Sequence, residues 1–158
     1  MTDPESSLTT HRNVQPKLLT ELPMGLPGRI FRCSMPYSPY DPNGQVLQEI
    51  RHQDISVIVL LAEADECLTM TGRDLPGLNR REGFQVLHLP IPDGGVPLRD
   101  QLEQAVTSVI QHAQAGQHLA IHYYAGTAEC IRSSRTKRTF FHTAFHVEHA
   151  CDSHVSAG

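Results

Sequence analysis

The amino-acid sequence predicts an α/β fold, with a mostly parallel central sheet that is flanked by helices and incomplete at its C-terminal side. Residues 55–61 (ISVIVLL) are β-branched and almost continuously apolar, which is typical of a central strand buried on both faces. Residues 98–114 carry a helical stripe of apolar side chains between two further strand-like segments. Strands that alternate with helices favour right-handed crossovers in a parallel sheet.

The first elements follow from short local patterns. Residues 1–25 are polar and aperiodic, so we expect a flexible N-terminal arm. A strand is predicted at residues 28–33, followed by the turn-rich residues 36–44. Further along the chain, short patterns predict a helix around Val46, Leu47 and Ile50, a helix at residues 63–70, and strands at residues 84–89 and 118–122.

The longest periodic segment is the helix predicted at residues 98–114. Its stripe is broadened by Ala105 and Val109, and Gly116 is well placed to end the helix. The stripe itself consists of Leu98, Leu102, Val106, Ile110 and Ala113. This face should pack on the sheet.

Length and composition exclude several classes of protein. The 158 residues suffice for one globular domain, and a net charge of −4 gives no reason to expect nucleic acid or an anionic membrane as partner. No apolar window is long enough to span a bilayer, and the polar N-terminus argues against a signal peptide. Four widely spaced cysteines favour a reducing compartment over a disulfide framework. We therefore expect a cytoplasmic protein.

Three segments carry a resemblance to a known family. They are the strand at residues 28–36 (GRIFRCSMP), the loop at residues 90–97 (PIPDGGVP), and the strand that runs into residues 122–126 (HYYAG). In this order and spacing they resemble the cysteine-dependent protein-tyrosine and dual-specificity phosphatase superfamily. The resemblance covers residues 26–126 and implies hydrolysis of phosphomonoesters on phosphoproteins, without a cofactor or a metal. A phosphoprotein or phosphopeptide would be the partner.

The resemblance also implies roles for individual residues. Asp93 takes the place of the general acid, although an aspartate in a turn before a helix is also an ordinary structural residue. His122 begins the phosphate loop, with Tyr124, Ala125 and Gly126 inside it. The family nucleophile, a cysteine, belongs at position 123, and the phosphate-binding arginine at position 129.

Both of these positions carry other residues in this chain, namely Tyr123 and Glu129. A phenol whose pKa is near 10 is a poor substitute for a thiolate, and a carboxylate repels the phosphate dianion. We therefore expect the chain to be inactive. An alternative is a pseudophosphatase that binds phosphoproteins without turnover.

The composition changes after Gly126. Residues 1–126 contain sixteen leucines, whereas residues 127–158 contain no Leu, Pro or Gln and four His. We expect an atypical tail that does not supply the helical layer this sheet needs. A weaker alternative is a zinc-binding tail, because His142 and His146 have the i, i+4 spacing of helical zinc ligands. Its other candidate ligands are Cys130, His149, Cys151 and His154.

A frameshift explains the tail more economically than independent replacements. Ala128 and Glu129 are encoded by GCN-GAR. One G inserted before the alanine codon gives GGC-NGA, which encodes glycine and, when N is C or A, an arginine at position 129. Tyr123 is likewise one base away from cysteine (TAY against TGY). We therefore expect residues 127–158 to be a frame-shifted segment.

Overall fold

The computed structural model describes residues 17–91 and 98–123. These residues form five strands and four helices. In chain order they are β1 (Leu19–Leu22), β2 (Ile30–Ser34), α1 (Gln45–His52), β3 (Val57–Leu60), α2 (Ala64–Thr71), α3 (Leu75–Arg81), β4 (Gln85–His88), α4 (Arg99–Gln114) and β5 (Leu119–Tyr123).

The described strands form one sheet in the order β1-β2-β5-β3-β4. β1 is antiparallel to β2, and the other three neighbouring pairs are parallel. This arrangement confirms the predicted fold class. The last strand in the sequence, β5, lies in the middle of the sheet, where His122 is paired in register with Cys33 on β2 and Leu60 on β3.

Strand β3 confirms the strongest sequence prediction. All four of its residues are fully buried. Val57 and Val59 pack on one face of the sheet with α4, while Ile58 packs on the other face with α1. Burial on both faces explains why the strand is continuously apolar rather than alternating.

Helix α4 covers one face of the sheet. Its buried residues are Leu102, Ala105, Val106, Val109 and Ala113, which confirms most of the predicted stripe. The prediction was wrong for Leu98, which is 69% exposed. The backbone of that residue is extended, so it precedes the first turn of the helix instead of joining its apolar face.

The other face of the sheet is covered by α1, α2 and α3. Val46 and Ile50 of α1 pack against Phe31 and Ile58. Cys67 of α2 and Leu75 of α3 pack in a neighbouring cluster with Leu60 and Ala62. Within the described residues both faces therefore carry helices. The expected lack of cover concerns the segment after residue 126, which lies outside the described part of the chain.

Two elements were not predicted. Residues 19–22 fall within the expected flexible arm but form the edge strand β1, which pairs with β2 along its whole length. Helix α3 was missed because Pro76 and Gly77 suggest a break. Both residues lie in its first turn, where proline is tolerated and where the Asp74 carboxylate accepts a 3.0 Å hydrogen bond from the backbone N–H of Gly77.

Two glycines fix the position of α4 against the sheet. Gly116 ends the helix as predicted, with a φ of 86° and a hydrogen bond from its N–H to the carbonyl of Ala113. Gly28, just before β2, donates a 2.7 Å hydrogen bond to the same carbonyl. A Cβ atom on Gly28 would lie 2.8 Å from the Ala113 oxygen and closer still to that of Gln117, so only glycine fits. Of the helices described, none is long and apolar enough to cross a membrane.

Candidate active site at the end of β5

The four parallel strands end at one edge of the sheet, and the candidate site lies there. In open α/β sheets, ligands bind at the carboxyl ends of the strands. The last residues of the inner strands are Ser34 on β2, Tyr123 on β5 and Leu60 on β3. Ser34 is paired in register with Tyr123, and β5 ends between its two neighbours in the sheet, β2 and β3.

His122 is the best-defined residue of the site. It is fully buried on the face of the sheet that carries α1–α3. Its Nδ1 lies 3.6 Å from the sulfur of Cys33, and its Nε2 lies 3.5 Å from the side-chain nitrogen of Asn79. Its carbonyl accepts a 3.2 Å hydrogen bond from the backbone N–H of Leu61. Both the ring and the backbone of His122 are therefore held by neighbouring elements.

The protonation state of His122 follows from this burial. Removal from water disfavours the charged form and lowers the pKa of the imidazole to about 4. At neutral pH the ring is therefore uncharged. It acts as a hydrogen-bonding group at the base of the site and supplies no positive charge to an anion.

Cys33 lies beside His122 but cannot serve as a substitute nucleophile. Its side chain is 1% exposed, and its sulfur lies 3.8 Å from the carbonyl oxygen of Ile121. Burial raises the pKa of the thiol far above its usual range, and the negative charge of Asp41 adds to the effect. Cys67, the other cysteine of the described region, is also buried and forms no disulfide. Both sulfur atoms are therefore buried away from any substrate.

The segment that leads towards Asp93 is fixed to the end of β3. The N–H of Leu89 donates to the carbonyl of Leu60, and that of Ile91 to Leu61, both at 2.9 Å. The side chain of His88 contacts the carbonyl of Ala62 at 2.9 Å. The chain up to Ile91 therefore lies at this edge of the sheet, and Asp93 follows two residues later in the sequence.

A cleft of about 360 Å³ lies between this segment and α4. Leu89, Ile91, Leu102 and Ala105 line it, with Gln101 at its polar rim. It borders β4, which is two strands away from β5 in the sheet. None of the described residues that line the cleft belongs to β5.

The structure places only part of the predicted site. His122 and the backbone of Tyr123 are described. Asp93, Tyr124, Ala125, Gly126 and Glu129 lie outside the described residues, as do the candidate zinc ligands of the tail. Within residues 17–91 and 98–123 there is no group of His, Cys, Asp and Glu side chains that could hold a metal ion.

Sequence reasoning missed the two partners of His122. Cys33 is 89 residues away in the sequence and Asn79 is 43 residues away. Nothing in their local sequence marks either as a partner, because only the sheet order and the position of α3 bring them to the histidine. The motif around His122 was the one available signal.

Solved structures with a similar fold include several phosphatases. Kinase-associated phosphatase, with its catalytic-site cysteine replaced by serine, is 18% identical, with a TM-score of 0.63 over 80% of this chain and 76% of that chain. A putative phosphatase from Shewanella putrefaciens is 15% identical (TM-score 0.51; 79% and 76% covered). A putative protein tyrosine phosphatase from Leishmania major is also 15% identical (TM-score 0.51; 82% and 85% covered). At these identities the likeness shows the fold alone.

The amino-acid sequence identifies the family to which the chain belongs. Among curated protein sequences, none matches this chain. Residues 36–132 match the family described as "Polymorphic toxin system, DSP-PTPase phosphatase". The match covers more than half of the chain and includes α1 to β5 together with the segment that follows His122. The chain therefore belongs to this family of dual-specificity and protein-tyrosine phosphatase domains.

Proposed function

We propose that this chain is a phosphatase-family domain whose phosphate loop follows β5, and that the chain as written does not hydrolyse phosphomonoesters. The observation that carries the proposal is the register of β5, which puts His122 and Tyr123 at the centre of the carboxyl edge. That is where a parallel sheet presents a ligand site. Residues 123–129 then occupy the loop that the family resemblance assigns to the phosphate.

The chemistry of such a loop sets four requirements. Backbone N–H groups at a helix N-terminus surround the phosphate dianion. An arginine binds two of its oxygens, and a cysteine held as a thiolate attacks phosphorus. An aspartate, here Asp93, then protonates the leaving oxygen. The thiolate belongs at position 123 and the arginine at position 129.

The two replacements act in the same direction. The phenol of Tyr123, with an ordinary pKa near 10, supplies almost no anion at neutral pH. In a loop of the family geometry, the carboxylate of Glu129 would stand about 4 Å from a phosphate charge. Such a like-charge pair costs roughly 4 kcal/mol at an effective dielectric constant of 20. Cys33 is buried with a raised thiol pKa and Cys67 is buried, so neither described cysteine replaces the missing nucleophile.

The setting of the domain follows from its family. The family is described as part of polymorphic toxin systems, and we extend that setting to this chain, with a phosphoprotein as the ancestral substrate. Neither described cysteine forms a disulfide, which fits the reducing, cytoplasmic environment that we propose for the chain. If the fold retains phosphoprotein binding without turnover, the chain is a pseudophosphatase.

Hydrolysis of a generic aryl phosphate tests the proposal. The purified chain should be indistinguishable from buffer, and Tyr123→Phe, the matched control, should be equally inactive. A vanadate-sensitive rate that survives Tyr123→Phe would mean that the site is elsewhere. Binding of a phosphotyrosine peptide, compared with its unphosphorylated form, separates a pseudophosphatase from a chain that has lost both binding and turnover.

Repair of the loop gives a second test. The double variant Tyr123→Cys, Glu129→Arg restores the two named groups but not the composition of residues 130–158. We expect little or no recovered hydrolysis, because the loop also needs the helix that holds its N–H groups. Recovery to within tenfold of an ordinary family member would show that the tail does provide that helix.

A further inference from the structure

Asn79 on α3 has an unusual environment for an amide side chain. It is completely buried, and its Oδ1 has no hydrogen-bond partner. Its Nδ2 lies at the long end of hydrogen-bond distance from Nε2 of His122, at 3.5 Å. A buried polar group that is only partly satisfied costs about 1–3 kcal/mol, so stability alone does not explain an amide here. The side chain that it contacts is the one at the base of the candidate loop.

The hydrogen bonds around His122 favour one arrangement of its protons. A neutral imidazole has one N–H donor and one acceptor nitrogen. If the Cys33 thiol donates to the carbonyl of Ile121, its sulfur accepts from Nδ1–H of His122. Nε2 then accepts from the amide of Asn79. All three contacts are used in this arrangement.

The opposite tautomer makes fewer contacts. An Nε2–H group would face the amide nitrogen of Asn79, so the amide would have to turn to present its oxygen. Nδ1 would then accept a hydrogen bond from the Cys33 thiol, whose S–H group would no longer donate to the carbonyl of Ile121. This leaves two contacts instead of three, with one atom of the amide still unpartnered.

We propose that Asn79 is a positioning residue, which holds His122 as the Nδ1–H tautomer and so fixes the direction in which the chain leaves β5. The imidazole is held by β2 on one side and by α3 on the other, while its backbone is held by the chain just after β3. The ring of His122 therefore has one orientation, and the backbone that leads to Tyr123 starts from a fixed position. Any effect of Asn79 on phosphate binding rests on the proposed function. The tautomer of His122 does not depend on that proposal.

The tautomer is measured by long-range ¹H–¹⁵N correlation on chain labelled with ¹⁵N-histidine, and His122→Gln assigns the signal. We expect a single neutral Nδ1–H tautomer between pH 8 and pH 6. In Asn79→Asp the new carboxylate accepts a hydrogen bond from Nε2–H and favours the imidazolium. The pKa of His122 should then rise by at least about one unit, as it does for a group that gains an opposite charge nearby.

Two further variants complete the design. Asn79→Leu is close in size and removes the donor, so both tautomers should become populated. Asn43→Asp makes the same chemical change at an exposed position and should leave the tautomer and the pKa of His122 unchanged. An Nε2–H tautomer in the unaltered chain, or an unchanged pKa in Asn79→Asp, overturns the inference. The unaltered chain alone decides the first point if a variant fails to fold.

The effect on the loop is read separately. In the Tyr123→Cys background, alkylation of the thiol introduced at position 123 is followed by mass spectrometry, which separates it from the native cysteines. Adding Asn79→Leu should change the alkylation rate, whereas adding Asn43→Leu should not. Equal rates in all three proteins would limit Asn79 to a structural role. None of these readouts requires catalysis, so they are independent of whether the chain hydrolyses an aryl phosphate.

Discussion

His122 should make the stability of the fold depend on pH in a defined window. The imidazole has a pKa of about 4 in the folded chain, against an ordinary value of 6.5. Above pH 6.5 it is neutral in both the folded and the unfolded chain. Below that value the unfolded chain binds a proton that the folded chain excludes, so acidification favours unfolding. The loss is complete near pH 4, where the folded chain also becomes protonated.

The magnitude follows from the difference between the two pKa values. A difference of about 2.5 pH units, at 1.36 kcal/mol for each unit, corresponds to about 3 kcal/mol. This is a large part of the 5–15 kcal/mol that holds a typical domain together. One buried ring could therefore determine whether the domain stays folded in an acidic compartment.

Urea unfolding between pH 7.5 and pH 4 measures this effect. The free energy of unfolding is compared between the unaltered chain and His122→Gln, whose side chain does not titrate. Other groups titrate in both proteins, so the difference between the two curves isolates His122. That difference should shift by about 3 kcal/mol in favour of the variant as the pH falls from 6.5 to 4.

His52→Gln, at an exposed position on α1, serves as the matched control for the loss of a histidine side chain. If the free energies of unfolding of the unaltered chain and of His122→Gln ran parallel with pH, His122 would be accessible to protons in the folded chain. The conclusion that His122 is buried between Cys33 and Asn79 would then be wrong.

Three other predictions address the fold and the gene. Gly28→Ala should lower the free energy of unfolding by about 1–3 kcal/mol, because its Cβ meets two backbone carbonyls, whereas Gln104→Ala, on the exposed side of α4, should have little effect. Asp41→Ala should lower it by about 0.5–2 kcal/mol in the same urea assay, because this carboxylate accepts hydrogen bonds from the first two N–H groups of α1. Sequencing of the DNA should show an Ala128 codon that ends in C or A and a shifted frame that encodes a leucine- and alanine-rich helix; a codon ending in G or T, or an early stop in that frame, would contradict the frameshift.

Much of the fold could be predicted from sequence because its elements have strong local patterns. β3 is apolar at every position since both of its faces are covered, and α4 repeats its apolar residues at the helical period. β1 could not be predicted, because it is a four-residue edge strand whose stability comes from pairing with β2. Helix α3 begins with residues that elsewhere end helices, and the hydrogen bond that the Gly77 N–H donates to the Asp74 carboxylate shows that they lie in its first turn.

In the candidate site, too, one part could be predicted from local sequence and another part could not. The position of His122 followed from a motif within one short segment. The protonation and orientation of its ring depend on Cys33 and Asn79, which lie on other elements. Contacts between distant elements leave no local pattern in a single sequence, so this part of the site required the fold.

The buried cluster also bears on the origin of the loop that the proposed function assigns to residues 123–129. Replacing Asn79 by an apolar residue of similar size would remove a half-satisfied amide, and a long period without function would permit that change. His122, Cys33 and Asn79 nevertheless keep their mutual contacts, while the positions that the resemblance assigns to the nucleophile and the arginine carry Tyr123 and Glu129. Under the proposed function, replacements at these two positions fit a recent lesion, such as one base change at Tyr123 and one frameshift before Ala128. A pseudophosphatase under selection would also keep the cluster, but it would have to bind phosphopeptide, whereas a frame-shifted chain need not. The peptide-binding measurement and the DNA sequence therefore decide between these two histories.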